Sequence, residues 1–186
     1  FSVVDDAHEW KVPNSFKIAI LAKRDLPRLR SAHFRPRAVK CMADVQKTVL
    51  IRHSAEEMFD LVTDVADYPN FLPWCGGVEI RRQDEHGMEA RIDINFKGIK
   101  QHFATHNTQA RPTRIDMEFA DGPFRKFTGY WRFTPLRTDA CKIEFALHYE
   151  FASIILEKLI GPVFTHIANT FVESFVKRAD ERYGRP

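Results

Sequence analysis

Three arrangements in this chain could do chemistry, and each makes its own demand on spacing. His53 stands beside Ser54. A histidine base can activate a serine hydroxyl, but the base needs a third group to orient it, and the sequence names none. Glu57 follows Ser54 by three residues, so the same serine is accounted for as a helix cap. His102 and His106 are four apart. That spacing joins two imidazoles on a helix, whereas on a strand they stand about 13 Å apart. Cys75 sits in the turn Pro73-Trp74-Cys75-Gly76-Gly77, and no neighbouring base is there to lower its pKa. The patterns G-x-S-x-G, H-E-x-x-H, G-x-G-x-x-G and the P-loop are absent. Cys41, Cys75 and Cys141 contain no C-x-x-C pair, against a zinc ribbon or a thioredoxin-type site. No catalytic residue, no metal and no required cofactor are expected.

The elements that would position a site follow from periodicity. Val45, Lys47, Val49 and Ile51 alternate with their neighbours as a strand does. The Ser54–Glu57 capping box opens a helix through Met58, Phe59, Leu61 and Val62, and Asp67-Tyr68-Pro69-Asn70 ends it. From residue 78 the period is two. Inward rows are Ala90–Ile92–Ile94–Phe96, Gln101–Phe103–Thr105–Asn107, Ile115–Met117–Phe119, Phe127–Gly129–Trp131–Phe133 and Cys141–Ile143–Phe145–Leu147–Tyr149. Short strands in succession predict an antiparallel meander with one apolar face. From about 153 to 182 the period is helical. Leu156, Ile160, Val163, Phe164, Ile167, Phe171 and Phe175 form one stripe. Pro162 inside it predicts a kink.

An apolar sheet face and an apolar helix stripe must cover each other. The expected fold is therefore α+β: a curved antiparallel sheet wrapped around a long C-terminal helix, with two short helices after the first strand. Its interior would be aromatic, since the 186 residues include 16 Phe. Two readings stay open: a filled aromatic core, or an apolar cavity for a flat or isoprenoid ligand. Candidate cavity residues are Phe71, Leu72, Trp74, Phe96, Phe103, Met117, Phe119, Phe124, Trp131, Phe145, Tyr149, Ile160, Phe164, Ile167 and Phe171. The Phe71–Trp74 patch, Gly122-Pro123-Phe124 and Gly161-Pro162 would form its mouth.

Charge divides the chain. Residues 1–41 hold nine Lys/Arg and four Asp/Glu; residues 42–186 hold 19 and 21. The leader is broken by Pro13, Pro27 and Pro36, and Asp5, Asp6 and Glu9 are wrong for an Arg-rich transit peptide. A basic arm for RNA or anionic lipid is an alternative. We expect residues 1–41 to stand apart from the fold, and 42–186 to be the domain, with Met42 as its start.

Several strings occur together and in order: His53-Ser54-Ala55-Glu56-Glu57-Met58-Phe59, Asp67-Tyr68-Pro69-Asn70-Phe71-Leu72-Pro73-Trp74-Cys75, Gly122-Pro123-Phe124-Arg125, Trp131-Arg132-Phe133-Thr134-Pro135-Leu136 and Gly161-Pro162-Val163-Phe164. Through them residues 42–184 resemble the RatA-type ribosome-association toxins. Those belong with the coenzyme Q-binding proteins in the START-like, polyketide cyclase/dehydrase group. The resemblance implies a helix-grip fold and a cavity for a hydrophobic small molecule, with ubiquinone as the bound ligand of a carrier supporting respiration. It also implies a second class of activity, binding the large ribosomal subunit and blocking subunit joining, for which Lys97, Lys100, Arg125 and Lys126 are candidate contacts. A cyclase-like enzyme is the third class, and the cavity positions offer it no acid–base pair. The cysteine pattern fits a reducing cytoplasm, with peripheral contact at the inner face of the cytoplasmic membrane as a further expectation.

Overall fold

In the computed structural model residues 42–184 are described; the expectations for the leader, 1–41, and for Cys41 lie outside the described residues. Alternating side chains, with β-branched and aromatic residues at the apolar positions, build seven strands. These are β1 (Met42–Ile51), β2 (Cys75–Asp84), β3 (Gly87–Phe96), β4 (Ile99–Ala110), β5 (Arg114–Asp121), β6 (Phe124–Arg137) and β7 (Ala140–Phe151). They form one antiparallel sheet in the order β1-β7-β6-β5-β4-β3-β2. The meander runs from β2 to β7, and β1 closes against β7, with Val45 opposite Leu147 and Ile51 opposite Cys141. Bulges at Ala104/Thr105 and Phe124/Lys126 add local bend and twist, and the sheet curves.

The helix α3 (Ile154–Tyr183) fills the curve. Its 30 residues span about 45 Å. Ser153 caps it by accepting the Leu156 N–H. The predicted stripe is buried at Ile160, Phe164, Ile167 and Phe175, and the small residues Gly161, Ala168 and Ala179 are buried with it. The ring of Phe175 stands 5.3 Å from Trp131, and that of Phe164 4.8 Å from Phe124. The helix continues unbroken across Pro162, the position of the predicted kink. Pro162 and Lys158 are both exposed, so water can serve the Lys158 carbonyl that loses its helical donor there.

Between β1 and β2 run α1 (Ala55–Thr63), a 3-10 turn (Val65–Asp67) and α2 (Tyr68–Phe71). The predicted capping box is present: Ser54 Oγ accepts from the Glu57 N–H at 3.2 Å, and Glu57 Oε2 accepts from the Ser54 N–H at 2.8 Å. Three Arg–Asp pairs pin this segment. Arg178 holds both oxygens of Asp67 at 2.9 and 3.1 Å, Arg182 holds Asp64 at 2.8 Å, and Arg111, from the β4–β5 turn, bridges Asp60. Among the described residues no helix is long and apolar enough to cross a membrane.

Candidate functional site

The concave sheet face and α3 do not fill the space between them. A cavity of about 60 Å³ remains. Val62, Thr63, Val65 and Tyr68 bound it from the α1–α2 segment, and Trp74 from the turn just before β2. Met88, Ala90 and Ile92 of β3 and Phe103, Thr105, Asn107 and Gln109 of β4 form one wall. Ile115, Met117, Phe127, Trp131, Phe145 and Leu147 form the other, and Phe164, Ile167, Ala168 and Phe171 of α3 close it.

Of the residues predicted to line a cavity, Trp74, Phe103, Met117, Trp131, Phe145, Phe164, Ile167 and Phe171 come together here. The other seven sit elsewhere. Phe124 and Ile160 border a second, smaller void, and Phe119 packs edge-on against Phe124 at 6.3 Å. Tyr149 faces a groove between β1 and the start of α3, its hydroxyl 3.3 Å from Thr165 Oγ1. Phe71 packs on Phe175 and under the Arg178 guanidinium, Leu72 is buried in the core, and Phe96 stacks on His166. The predicted mouth changes accordingly. Pro123-Phe124 and Gly161-Pro162 border the second void and the groove rather than the main cavity. An inward-facing strand position is necessary for lining a cavity but not sufficient. Near the β5–β6 turn the rings of Phe103, Phe124, Phe127, Phe151 and Phe164 pack on one another and leave little room. Gly122 makes that turn possible. Its φ is +131°, and a Cβ there would lie 3.0 Å from the Phe103 backbone.

The polar lining was missed by a reading that counted aromatics. Thr105, Asn107 and Gln109 are on the inward row of β4, and a polar residue on an otherwise apolar row is the signal that could have found them. Two buried polar atoms of the lining have no hydrogen-bond partner among the described residues: the Trp74 Nε1–H donor and the Asn107 Oδ1 acceptor. Orphaned groups of this kind cost free energy unless something in the cavity satisfies them. Tyr68 is the lone titratable side chain of the lining. Its hydroxyl donates to the Val62 carbonyl at 2.7 Å, and burial drives its pKa far up. The lining can hold an apolar body and fix a carbonyl or similar group at one place, but it offers no acid–base pair.

Other candidates resolve separately. His53 is buried with Nε2 3.0 Å from Asp180 Oδ1, a partner the sequence could not name. Ser54 is nonetheless occupied by Glu57, its hydroxyl 3.0 Å from Glu57 Oε2. His102 lies 3.4 Å from Asp121, and among the described residues no group of three or more His, Cys, Asp or Glu could hold a metal ion. Burial pushes the Cys75 thiol up, and that of Cys141 to about 11. Lys97, Lys100, Arg125 and Lys126 are all exposed; Arg125 reaches Glu150 at 3.1 Å.

A family model described as polyketide cyclase / dehydrase and lipid transport matches residues 51–176. The chain belongs to this family. Among its relatives is the ribosome association toxin RatA of Escherichia coli strain K12, 42% identical over 142 residues, which cover 76% of this chain and 90% of that protein. The mitochondrial coenzyme Q-binding protein COQ10 homolog B of Xenopus laevis is 27% identical over 146 residues, 76% of this chain and 60% of that one. Two solved structures share the fold. The ZhuI aromatase/cyclase of Streptomyces sp. R1128 has a TM-score of 0.63 at 16% identity, covering 77% of this chain and 96% of that one. A START superfamily protein of Mycobacterium smegmatis has a TM-score of 0.61 at 24% identity, covering 74% and 97%. The expected START-like helix-grip fold is thus the fold found. Relatives carry the names of a toxin and a binding protein, and a structure of the same fold that of an enzyme, so the fold alone does not choose among them.

Proposed function

We propose that the protein binds a hydrophobic isoprenoid ligand of the ubiquinone type without transforming it, as a carrier or chaperone. The supporting observation is the apolar cavity with two buried polar atoms, Trp74 Nε1–H and Asn107 Oδ1, that have no hydrogen-bond partner among the described residues. A quinone ring is flat, apolar on its faces and edged with carbonyl acceptors. Trp74 can donate to one such carbonyl, and the Asn107 amide can turn to present either its donor or its acceptor. The coenzyme Q-binding name of the Xenopus laevis relative agrees with this reading. About 60 Å³ holds a few waters and is well short of the roughly 300–1,000 Å³ of pockets for drug-sized ligands. Uptake therefore widens the cavity by moving α3 or the α1–α2 segment away from the sheet. The test is organic extraction of purified protein with mass spectrometry of the extract, and titration of stripped protein with quinone. A quinone in the extract is expected. Empty extracts, together with a titration that changes neither tryptophan fluorescence nor melting temperature, would refute the reading.

A second reading, ribosome association, is favoured by the 42% identity to RatA. It predicts co-sedimentation with the large ribosomal subunit that weakens steeply with salt, as phosphate contacts do. Lys97→Glu with Lys100→Glu should reduce that co-sedimentation. If the wild-type protein never pellets with subunits at low salt, this reading fails.

A further inference from the structure

The amphipathic logic of α3 breaks down in its first turns. Ile154, Ile155 and Leu159 are 56%, 77% and 58% exposed, although their side chains are among the most favourable to bury. Ile155, Leu159, Pro162 and His166 follow one another along a single outer side of the helix at helical spacing. His166 stacks on Phe96 at 5.5 Å with the rings 10° apart, and Lys97 Nζ lies over the other side chain of that stack, 5.4 Å from the Phe96 centroid. The β3–β4 turn therefore abuts this side of the helix. The β5–β6 turn is tied to the same end, because Ala152 N–H donates to the Pro123 carbonyl at 2.9 Å. The bulge at Arg125 leaves both Arg125 and Lys126 exposed. Three elements thus meet at one pole, around the small void bordered by Ile99, Pro123 and Ile160. The exposed aliphatic side chains of the helix form an apolar patch, and Lys97, Lys100, Lys126 and Lys158 lie on the same elements close in sequence to that void. These four lysines are exposed and, among the described residues, form no ion pair. On the outer sheet face cations are matched instead: Arg91 with Asp93, Arg114 with Asp116 and Arg132 with Glu144.

We propose that this pole docks on an anionic lipid bilayer, with Ile155 and Leu159 entering the headgroup–acyl boundary and the lysines facing lipid phosphates. Exposed aliphatic side chains on elements that also carry unmatched lysines suit that surface in both respects. A nucleic acid would use the cations and leave the aliphatic side chains without a role. The pole also leads inward. Phe103 and Phe164, in edge-to-face contact at 6.0 Å, line both the main cavity and the small void beneath the pole. They form the partition that a lipid passing from membrane to cavity would have to part. The docking surface rests on the hydrophobic-ligand reading for its purpose but not for its test.

The experiment is flotation of the full chain with phosphatidylglycerol/phosphatidylcholine vesicles and with phosphatidylcholine vesicles alone. Wild type should float with the anionic vesicles and lose part of that binding as salt rises. Ile155→Glu with Leu159→Glu should cut it by about tenfold or more, and Lys97→Glu with Lys126→Glu should remove the preference for anionic lipid. Both pairs alter exposed side chains, and circular dichroism should show an unchanged fold. Quinone uptake from detergent micelles should survive in both, which separates loss of docking from loss of the cavity. Wild type that stays off anionic vesicles overturns the proposal, as does an Ile155→Glu/Leu159→Glu protein that floats like wild type. It is equally overturned if wild type ignores vesicles but pellets with ribosomal subunits, or if the aliphatic substitutions act only by dissolving a dimer seen by size exclusion.

Discussion

Trp74 is the residue on which the ligand reading can be tested most cleanly. Its ring is 2% exposed and packs against Phe171 at 5.8 Å, while its Nε1–H has no hydrogen-bond partner among the described residues. Trp74→Phe keeps most of the ring and removes the orphaned donor. Stability in urea should fall by about 1–2 kcal/mol through the lost packing of the smaller ring, and not through the hydrogen bond, which the indole of the free protein already forgoes. Affinity for quinone should fall about 3- to 10-fold, the worth of one hydrogen bond, as measured by calorimetric titration. An unchanged affinity would separate the indole from ligand recognition. Cys75 gives the opposite expectation. Burial raises its pKa, and its Sγ–H points to the Gly77 carbonyl at 3.5 Å. The thiol therefore stays protonated near neutrality and is a poor nucleophile. Cys75→Ser should leave quinone uptake unchanged, and a thiol reagent should label native protein slowly at pH 7, faster as pH rises, and promptly in denaturant.

The α1–α2 segment both bounds the cavity and is fastened by ion pairs to α3 and to the β4–β5 turn. Burial pushes the Asp67 carboxyl up, but hydrogen bonds from Asn70 and Arg178 outweigh this and hold it below the usual carboxylate range. A depressed pKa in the folded state contributes stability that is present above the unfolded value, near 4, and is lost as pH falls through the folded one. Hydrogen exchange in the segment should accelerate below about pH 4. Asp67→Asn should remove that acid dependence at a cost of roughly 1 kcal/mol, given the partial exposure of the pair. If exchange in Asp67→Asn retains the wild-type acid response, the fastening lies elsewhere. This segment also marks what the sequence could convey. The Ser54–Glu57 box, the period-two rows and the α3 stripe were legible because local spacing determines them. The Asp67–Arg178 and His53–Asp180 pairs join residues 111 and 127 positions apart, and no local pattern announces such a meeting. The cavity lining was half legible for a related reason. Strand period says which way Phe124 and Phe119 point, but only packing in three dimensions decides whether a ring lines a void or fills it.

At the scale of the molecule, a ligand that binds only the folded state must stabilise it. At a free quinone concentration one hundred times its Kd the gain is about 2.7 kcal/mol, which for a domain of this size raises Tm by roughly 5–10 °C. Differential scanning calorimetry with and without quinone should show that rise, and no shift would mean that quinone does not bind the native state. The pairing of the first strand with the last has a separate consequence, one of time. Met42 lies opposite Glu150, so β1 leaves the ribosome on the order of 5–20 s before β7 at synthesis rates of about 5–20 residues per second. Throughout that interval the edge of β1 has no strand to pair with, and α3, which covers the aromatic face, arrives later still. A chain stalled or truncated before Ile154 would present the whole concave face of the sheet uncovered. Such nascent species are the ones that aggregate or recruit chaperones, so the closure that shelters the cavity in the finished protein also makes its birth slow.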